Sequence, residues 1–194
     1  HKRAFEGNAG PNTGGMGSYS DANHLLPFLT EGDLEKAHAF NEQTAAALLE
    51  ECKEPYRGIL YGGFIKTKKG IRLIEYNCRF GDPEALSVLP LLESDFVDIC
   101  RGIIEGSLSE SMVRFAPKAT VCKYIVPKSY PVSKDQRGEE VRFPEERKME
   151  NAECRIFYGD VTKDKDGPLR LGGSRTAGVV GGADTIEKAE GIAQ

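Results

Sequence analysis

Three polar side chains alternate along the segment RLIEYNCRFGDPE, residues 72–84, and their types suit phosphate chemistry. If the segment is extended, Glu75, Asn77 and Arg79 project to one side, because side chains alternate along a strand. Carboxylate and amide oxygens are ligands that Mg²⁺ accepts, and a guanidinium binds phosphate or carboxylate oxygens through paired hydrogen bonds. The three side chains together indicate a reaction on a metal-bound polyphosphate.

The same alternation also fits an ordinary half-buried strand whose polar side faces solvent. The opposite side would then be apolar and face a core, with Ile74, Tyr76, Cys78 and Phe80. The pattern alone favours this simpler interpretation, and only the chemical types of the polar residues favour a site. After the strand, residues 81–84 predict a turn in which Asp82 and Glu84 add two carboxylates.

A second candidate for anion binding is the glycine-rich segment GNAGPNTGGMGSYS, residues 7–20. Glycine permits positive φ and close approach of the backbone to a ligand, so the composition predicts a loop. The segment matches neither G-x-G-x-x-G nor the Walker pattern, and by itself it fits a structural turn equally well. Lys2 and Arg3 just upstream add positive charge.

Successive N–H groups in such a loop can form an anion-binding nest. We therefore expect residues 10–17 to bind a phosphate-bearing substrate and to be poorly ordered without it, because four glycines leave little side-chain packing. The alternative is a rigid turn fixed by Pro11 and by a side-chain bond from Asn12 to its own backbone.

The composition is that of a globular protein of one or two domains, with 194 residues, 39% hydrophobic residues and a net charge of −4. No basic block marks a nucleic-acid or anionic membrane surface, and no apolar run approaches a membrane span. The five cysteines are widely separated, which argues against disulfides and zinc and favours a reducing cytoplasm. Because the chain starts at His1 and stops within a helical pattern, we expect a fragment of a longer protein.

Apolar spacing and capping patterns predict the elements that position these residues. The pattern Thr30-x-x-Asp33 predicts a helix that ends near Pro55. One stripe of this helix recurs at helical spacing, with Leu34, Ala37, Phe40, Thr44, Leu48 and Cys52. Strands are predicted over residues 58–66 and 71–80, joined by a hairpin turn at residues 68–70. A second helix is predicted with Leu92, Phe96, Ile99 and Ile103 on one face and Gly106 near its end.

Beyond residue 108 the pattern changes to short β-like runs, over residues 120–126, 154–158 and 174–180. These runs predict a second domain. Residues 128–152 are the most polar connection, where a long loop or disorder competes with a few weak strands. Asp184-x-x-Glu187 predicts the cap of a terminal helix.

Four segments, HKRAFEG, GPNTGGMGSYS, GILYGGF and IEYNCRFGDPE, in this order closely resemble phosphoribosylamine–glycine ligase, also called glycinamide ribonucleotide synthetase. This family belongs to the ATP-grasp superfamily. The resemblance covers most of residues 1–108 and continues more weakly through VCKYIVP, RIFYGDV and GGSRTAGVVGGADTIEKAE. The charged segment between Lys128 and Glu153 is longer than the family pattern.

The resemblance implies an α+β fold in two parts. Residues 1–110 would be the carboxy-terminal subdomain of an ATP-grasp catalytic domain, mostly antiparallel sheet with flanking helices. Residues 111–194 would be a small β-rich α+β carboxy-terminal domain. The family's amino-terminal domain, lid and ATP hinge would precede His1, so we expect the chain to be inactive alone.

The implied reaction is ATP-dependent ligation of glycine to 5-phosphoribosylamine through glycyl phosphate, a step of purine biosynthesis. Glu75 and Asn77 match the family's ligands for Mg²⁺ or Mn²⁺, and Arg79 would stabilise the acyl phosphate. Asp82, and with it Glu84, would orient the ammonium of glycine or the amine nucleophile. The residues implied to grip phosphoribosylamine are Lys2, Arg3, Asn12, Thr13, Gly14, Gly15, Met16 and Gly17.

The implied partners are small molecules, namely glycine, phosphoribosylamine and ATP, without nucleic acid or membrane and in the cytoplasm. One alternative is another ATP-grasp carboxylate–amine ligase, such as a biotin-carboxylase-like protein, because the Glu-x-Asn-x-Arg strand is common to many of them. The segment GPNTGGMG favours the glycine ligase. The other alternative is a non-catalytic nucleotide-binding or interaction module, in which the polar side of residues 75–79 is merely solvated.

Overall fold

The computed structural model describes residues 1–143, 153–163, 165 and 167–194. These residues form two compact units. The first unit contains residues 1–24, 82–90 and 117–194, and the second contains residues 25–81 and 91–116. Each unit is thus assembled from separate stretches of chain, and the single domain boundary expected near residue 110 stays a prediction. Most of the second half of the polar connection, residues 144–152, lies outside the described residues.

The elements alternate between short strands and a few helices. The strands are β1 (Arg3–Phe5), β2 (Ala9–Asn12), β3 (Gly17–Ser20), β4 (Tyr61–Thr67), β5 (Gly70–Asn77), β6 (Ala119–Ile125), β7 (Glu140–Val141), β8 (Cys154–Tyr158), β9 (Val161–Lys163), β10 (Leu169–Leu171) and β11 (Ala177–Ala183). The α-helices are α1 (Glu31–Cys52), α2 (Glu84–Val88), α3 (Phe96–Glu105) and α4 (Ile186–Ile192), with short 3-10 turns at Glu6–Asn8, Leu89–Leu91 and Glu110–Met112.

The first unit is built on a four-stranded antiparallel sheet in the order β3-β6-β11-β8. Its two central strands, β6 and β11, pair over their full length, and α4 packs on the face that carries Val121 and Ala183. Gly181 lies on the same face, and a Cβ there would stand 2.8 Å from the Ala193 nitrogen. The small residues of β11 therefore allow α4 to approach the sheet closely.

Helix α2 packs on the opposite face of this sheet. The buried Thr120 hydroxyl donates to the Ser87 carbonyl at 2.6 Å, and the side chain of Leu86 contacts Gly178. Residues 84–88 were not predicted to be helical, because five residues are too few to show a helical period. The β1–β2 hairpin and a small sheet in the order β7-β10-β9 complete the unit.

The terminal helix begins one residue later than predicted. The Thr185 hydroxyl, rather than Asp184, accepts the cap hydrogen bond from the Lys188 N–H at 3.3 Å. Both residue types are good caps, and the backbone of Thr185 has the extended conformation that a cap requires.

In the second unit, α1 begins with the predicted capping box. The Thr30 hydroxyl accepts from the Asp33 N–H, and the Asp33 carboxylate accepts from the Thr30 N–H at 3.0 Å. Lys66 on β4 donates to the same carboxylate at 2.7 Å. Along the helix, Tyr76 on β5 donates to Asn41 at 3.0 Å and accepts from Thr44 at 3.2 Å. The helix is thus fixed on the hairpin by polar as well as apolar contacts.

The predicted apolar stripe of α1 is only partly confirmed. Phe40, Thr44 and Leu48 are half-buried, whereas Leu34 and Cys52 at its ends are exposed. Helix α3 ends, as predicted, at Gly106, whose φ of 71° is the left-handed conformation that glycine favours. None of the helices in the described part of the chain has the length and apolar character of a membrane span.

Candidate functional site

The hairpin of β4 and β5 positions the predicted metal ligands. Gly63 pairs with Glu75, but the next residue, Phe64, pairs with Leu73, so Ile74 is one residue in excess. Such a bulge shifts the alternation of side chains along the strand. Residues on either side of the bulge can therefore keep their apolar side chains on the same face of the hairpin.

Burial along β5 follows this shift. Ile71 is buried, and Leu73 and Tyr76 are half-buried, although they lie three residues apart. Glu75 is exposed and Asn77 is half-buried. The bulge thus separates the two predicted ligands from the apolar side chains that pack under α1.

Two details of the predicted strand are wrong. The strand ends at Asn77, so Arg79 lies beyond it rather than on it, and Ile74 and Cys78 are exposed instead of facing a core. The bulge at Ile74 and the end of pairing after Asn77 account for both differences. Arg79 nevertheless stays beside Asn77, because its Nη2 donates to the Asn77 Oδ1 at 3.2 Å and its Nη1 to the Phe80 carbonyl at 2.6 Å.

The donors present suit a particular kind of metal site. Among the described residues, no three His, Cys, Asp or Glu side chains converge as a metal cage would require. Glu75 and Asn77 offer one carboxylate and one amide oxygen, and the amide oxygen has a second lone pair besides the one facing Arg79. Mg²⁺ is commonly held by one or two protein ligands together with phosphate oxygens and water. The set therefore fits Mg²⁺ bound with a polyphosphate.

The glycine-rich segment is more regular than predicted. Gly10 lies in β2 and Gly17 in β3, and only residues 13–16 connect the two strands. The Thr13 and Met16 N–H groups donate to the carbonyls of Lys2 and His1, each at 2.7 Å, and the Gly15 N–H donates to the Thr13 hydroxyl at 3.1 Å.

The predicted anion-binding nest is wrong at three positions of this loop. The N–H groups of Thr13, Gly15 and Met16 have protein acceptors, so these three do not form a nest for an anion. The lack of order expected in the absence of substrate stays a prediction. The glycine composition indicated a backbone with much conformational freedom. The sequence did not show that the carbonyls of His1 and Lys2 accept N–H groups of this loop.

Gly15 and Gly17 instead permit close backbone packing. A Cβ at Gly15 would lie 2.6 Å from the Pro83 Cδ, and one at Gly17 would lie 2.6 Å from the Cys122 carbonyl oxygen. Both distances are too short for real side chains. These glycines bring the loop against the turn at residues 82–83 and against β6.

Asp82 is the centre of a polar cluster that also contains Arg175, Tyr124 and the Gly15 carbonyl, here called the Asp82 cluster. Arg175 donates to both carboxylate oxygens of Asp82, at 3.1 and 2.7 Å, and to the Gly15 carbonyl at 3.1 Å. The Tyr124 hydroxyl donates to the Asp82 Oδ1 at 2.6 Å, and the Arg175 Cζ lies 4.7 Å from the centre of the Tyr124 ring. The Asp82 side chain is still 49% exposed.

Arg175 and Tyr124 were not predicted as site residues. The sequence held one signal for Arg175, its position just before the small residues of the buried strand β11. A charged side chain at such a position needs a hydrogen-bond acceptor. Nothing in the spacing identifies that acceptor as Asp82, far away in the sequence.

The surroundings of the cluster keep two nearby acids neutral. Burial, followed by the charges of Asp82 and Glu84, raises the pKa of the Cys122 thiol to about 12. Burial and the hydrogen bond to Asp82 also raise the pKa of Tyr124 above its usual range. Neither group is therefore a nucleophile or base near neutral pH, and the charged members of the cluster are Asp82 and Arg175.

A cavity of about 590 Å³ lies in the first unit, lined by residues of β1, β3, β6 and α4. Of the predicted substrate-binding residues, Arg3, Met16 and Gly17 line it. Lys2, Asn12, Thr13, Gly14, Gly15 and Glu84 belong to the same unit but do not line this cavity. Glu84 is the first residue of α2, directly after the turn that holds Asp82.

Comparison with known proteins agrees with the features above. Residues 1–85 match the family described as phosphoribosylglycinamide synthetase, ATP-grasp (A) domain. Over 194 residues the chain is 46% identical to a phosphoribosylamine–glycine ligase of Methanosarcina acetivorans and 48% identical to one of Methanocaldococcus jannaschii. It spans 42% and 43% of those proteins, less than half of their length.

Solved structures show the same relationship. The crystal structure of phosphoribosylamine–glycine ligase from Thermotoga maritima matches 99% of the chain with a TM-score of 0.74 and 29% identity, and 45% of that protein is covered. Phosphoribosylglycinamide synthetase from Anaerococcus prevotii matches 91% of the chain with a TM-score of 0.55 and 12% identity, which supports the fold alone. The predicted α+β, ATP-grasp-related fold is thereby confirmed. Over its whole length the chain is similar to phosphoribosylamine–glycine ligases, and it spans less than half of the proteins it matches there.

Proposed function

We propose that the protein containing this chain ligates glycine to 5-phosphoribosylamine at the expense of ATP, giving glycinamide ribonucleotide, ADP and phosphate. The observation that carries this proposal is 46% identity over the whole chain to a protein named for that ligation. The reaction is a step of purine biosynthesis, and we place the protein in the cytoplasm with small molecules as its partners.

In the first half of the reaction, a carboxylate oxygen of glycine attacks the γ-phosphorus of ATP, and ADP leaves. Glu75 and Asn77 would hold Mg²⁺ or Mn²⁺, which would neutralise charge that develops on the transferred phosphoryl group. Arg79 uses Nη1 and Nη2 to contact Phe80 and Asn77, and its remaining N–H groups would donate to the phosphoryl oxygens of glycyl phosphate.

In the second half, the amine of phosphoribosylamine attacks the carbonyl carbon of glycyl phosphate, and phosphate leaves with one oxygen from glycine. Asp82 and Glu84 would orient the ammonium of glycine or the attacking amine by their negative charge. Arg3 and Lys2 would attract the substrate phosphate, and the cavity lined by Arg3, Met16 and Gly17 offers space for the phosphoribosyl group. The remaining loop residues, Asn12, Thr13, Gly14 and Gly15, do not line this cavity, and we assign them to the part of phosphoribosylamine that extends beyond it.

A coupled assay of the full-length protein tests this function. ADP formation should require glycine, phosphoribosylamine and a divalent cation together, and glycinamide ribonucleotide should accumulate in equal amount. ADP formation that continues without phosphoribosylamine, or only with another carboxylic acid, would contradict the proposal and favour a different ATP-grasp ligase.

Replacing Glu75 with Gln tests the metal assignment. The substitution keeps the shape but removes a ligand charge, so kcat should fall on the order of 10²-fold at saturating Mg²⁺. Glu42→Gln is the control, because Glu42 is an exposed residue of α1 whose carboxylate lies 3.8 Å from His38 one turn away. Near-normal turnover of Glu75→Gln, or an equal loss in the control, would refute the assignment.

A further inference from the structure

We propose that Arg175 is a positioning residue for this reaction. Its guanidinium clasps the Asp82 carboxylate and the Gly15 carbonyl, and so fixes the turn at residues 82–84 relative to the loop at residues 13–17. This inference rests on the proposed function, because both segments carry residues assigned there to the substrates.

The planar guanidinium donates to Asp82 and to Gly15 at the same time. Nη2 donates to the Asp82 Oδ2 at 2.7 Å, while Nη1 donates to Oδ1 and to the Gly15 carbonyl, each at 3.1 Å. Nη1 also approaches the backbone carbonyl of Asp82 at 3.3 Å. One side chain therefore bridges two segments that the sequence separates widely, and it fixes both the side chain and the backbone of Asp82.

The guanidinium is itself held in place. The Arg175 side chain is only 19% exposed and lies over the Tyr124 ring. Its backbone carbonyl accepts from the Asp160 N–H at 2.7 Å, and the next N–H, of Thr176, donates to Ile125 at 2.8 Å. Since β6 and β11 of the central sheet anchor both Tyr124 and Arg175, the sheet sets the orientation of Asp82.

Asp82 is consequently restrained before any substrate arrives. Three side-chain hydrogen bonds, two from Arg175 and one from Tyr124, limit rotation of its carboxylate. The carboxylate remains 49% exposed, so it can still attract an ammonium group. A restrained carboxylate orients a ligand at a lower entropic cost than a mobile one.

Lysine cannot reproduce this clasp. A lysine ammonium is a single point of charge, whereas the arginine fork places two nitrogens against the two carboxylate oxygens and a third acceptor. Arg175→Lys should therefore keep the charge but loosen the loop and the turn. Tyr124→Phe removes only the hydroxyl bond to Asp82 and keeps the ring under the guanidinium.

Two measurements on the full-length protein test the proposal, with the variants Arg175→Lys, Tyr124→Phe and, as control, Arg142→Lys. Arg142 is an exposed arginine of the same unit that pairs with Glu140 at 2.6 Å. The first measurement is amide hydrogen exchange in peptides that cover residues 13–17 and 82–84. The second is the KM for each of the three substrates.

In Arg175→Lys, exchange should accelerate in both peptides, and KM for glycine or phosphoribosylamine should rise about tenfold or more, with KM for ATP changed less than about twofold. Tyr124→Phe should show a smaller effect in the same direction, and Arg142→Lys should show none. General destabilisation would instead accelerate exchange throughout the first unit without a selective change in KM.

The proposal would be overturned if amide exchange at residues 13–17 and 82–84 were unchanged in Arg175→Lys. Equal changes in all three KM values would overturn it as well. If the unaltered protein ligates no glycine, the proposed function fails. Amide exchange would then still decide whether Arg175 holds the two segments together. If exchange in both peptides stayed slow in Arg175→Lys and in Tyr124→Phe, Arg175 would not hold them.

Discussion

Replacing Gly15 with Ala should destabilise the protein strongly, although the change adds a single methyl group. Gly15 has a φ of 129°, which side chains with a Cβ rarely adopt. The added Cβ would stand 2.6 Å from the Pro83 Cδ and 3.0 Å from the Asp82 carbonyl oxygen. Neither neighbour is the end of a flexible side chain, so the backbone of the loop or of the turn must move.

The expected cost follows from two contributions. Holding a non-glycine residue in this backbone conformation costs about 1–3 kcal/mol. Forcing extra volume into a packed contact costs about 1–3 kcal/mol more. Because relaxation relieves part of the clash, we expect a total of about 3 kcal/mol, which corresponds to a fall in Tm of about 6–12 °C for a protein of this size.

Thermal unfolding of the 194-residue chain, followed by circular dichroism, measures this loss. The matched control is Gly14→Ala in the same loop, where the new Cβ would meet the end of the flexible Arg175 side chain at ordinary contact distances, with Nη2 at 3.4 Å. The control should change stability by less than about 0.5 kcal/mol. Similar Tm values for Gly15→Ala and the unaltered chain, or equal losses in both variants, would show that the loop does not pack as described.

Two further predictions concern ionisable groups in the two units. Hydrogen bonds from Lys66 and Thr30 hold the pKa of Asp33 below its usual 3.8, so the stability that its carboxylate contributes is complete above that pH and is lost as the pH falls through the lower folded value. Asp33→Asn should accordingly be less stable than the unaltered chain at neutral pH and equal to it in strong acid, and a difference in Tm that is constant with pH would contradict this. Cys122 is 1% exposed with a pKa raised to about 12, so a thiol reagent near neutral pH should modify the exposed Cys52 and leave Cys122 unmodified until unfolding. Mass spectrometry of the labelled native protein checks this, and early modification of Cys122 would refute its burial.

The local patterns with a direct physical cause were predictable from the sequence. The Thr30 capping box, the β4–β5 hairpin and the strand Cys154–Tyr158 depend on side chains close in sequence, and the structure confirms all three. Of the two predicted metal ligands, Glu75 is exposed as expected for the polar side of a strand, and Asn77 is half-buried.

The remaining features depend on contacts that the sequence does not display. The bulge at Ile74 arises because Phe64 pairs with Leu73, and this register is a property of the partner strand. The glycine-rich segment forms two strands and a short loop, and the loop donates N–H groups to the carbonyls of Lys2 and His1, which are far away in the sequence. Arg175 joins the site only through the pairing of β6 with β11, which brings together residues far apart in the chain.

Transfer of oxygen from glycine to phosphate tests the central claim of this account most directly. Glycine labelled with ¹⁸O in its carboxylate is incubated with the full-length protein, phosphoribosylamine, ATP and Mg²⁺, and the released phosphate is analysed by mass spectrometry. If glycyl phosphate is the intermediate, each phosphate carries one labelled oxygen, because the carboxylate oxygen that attacks the γ-phosphorus leaves with it. Unlabelled phosphate would show that ATP cleavage does not activate glycine, and it would contradict the proposed ligation.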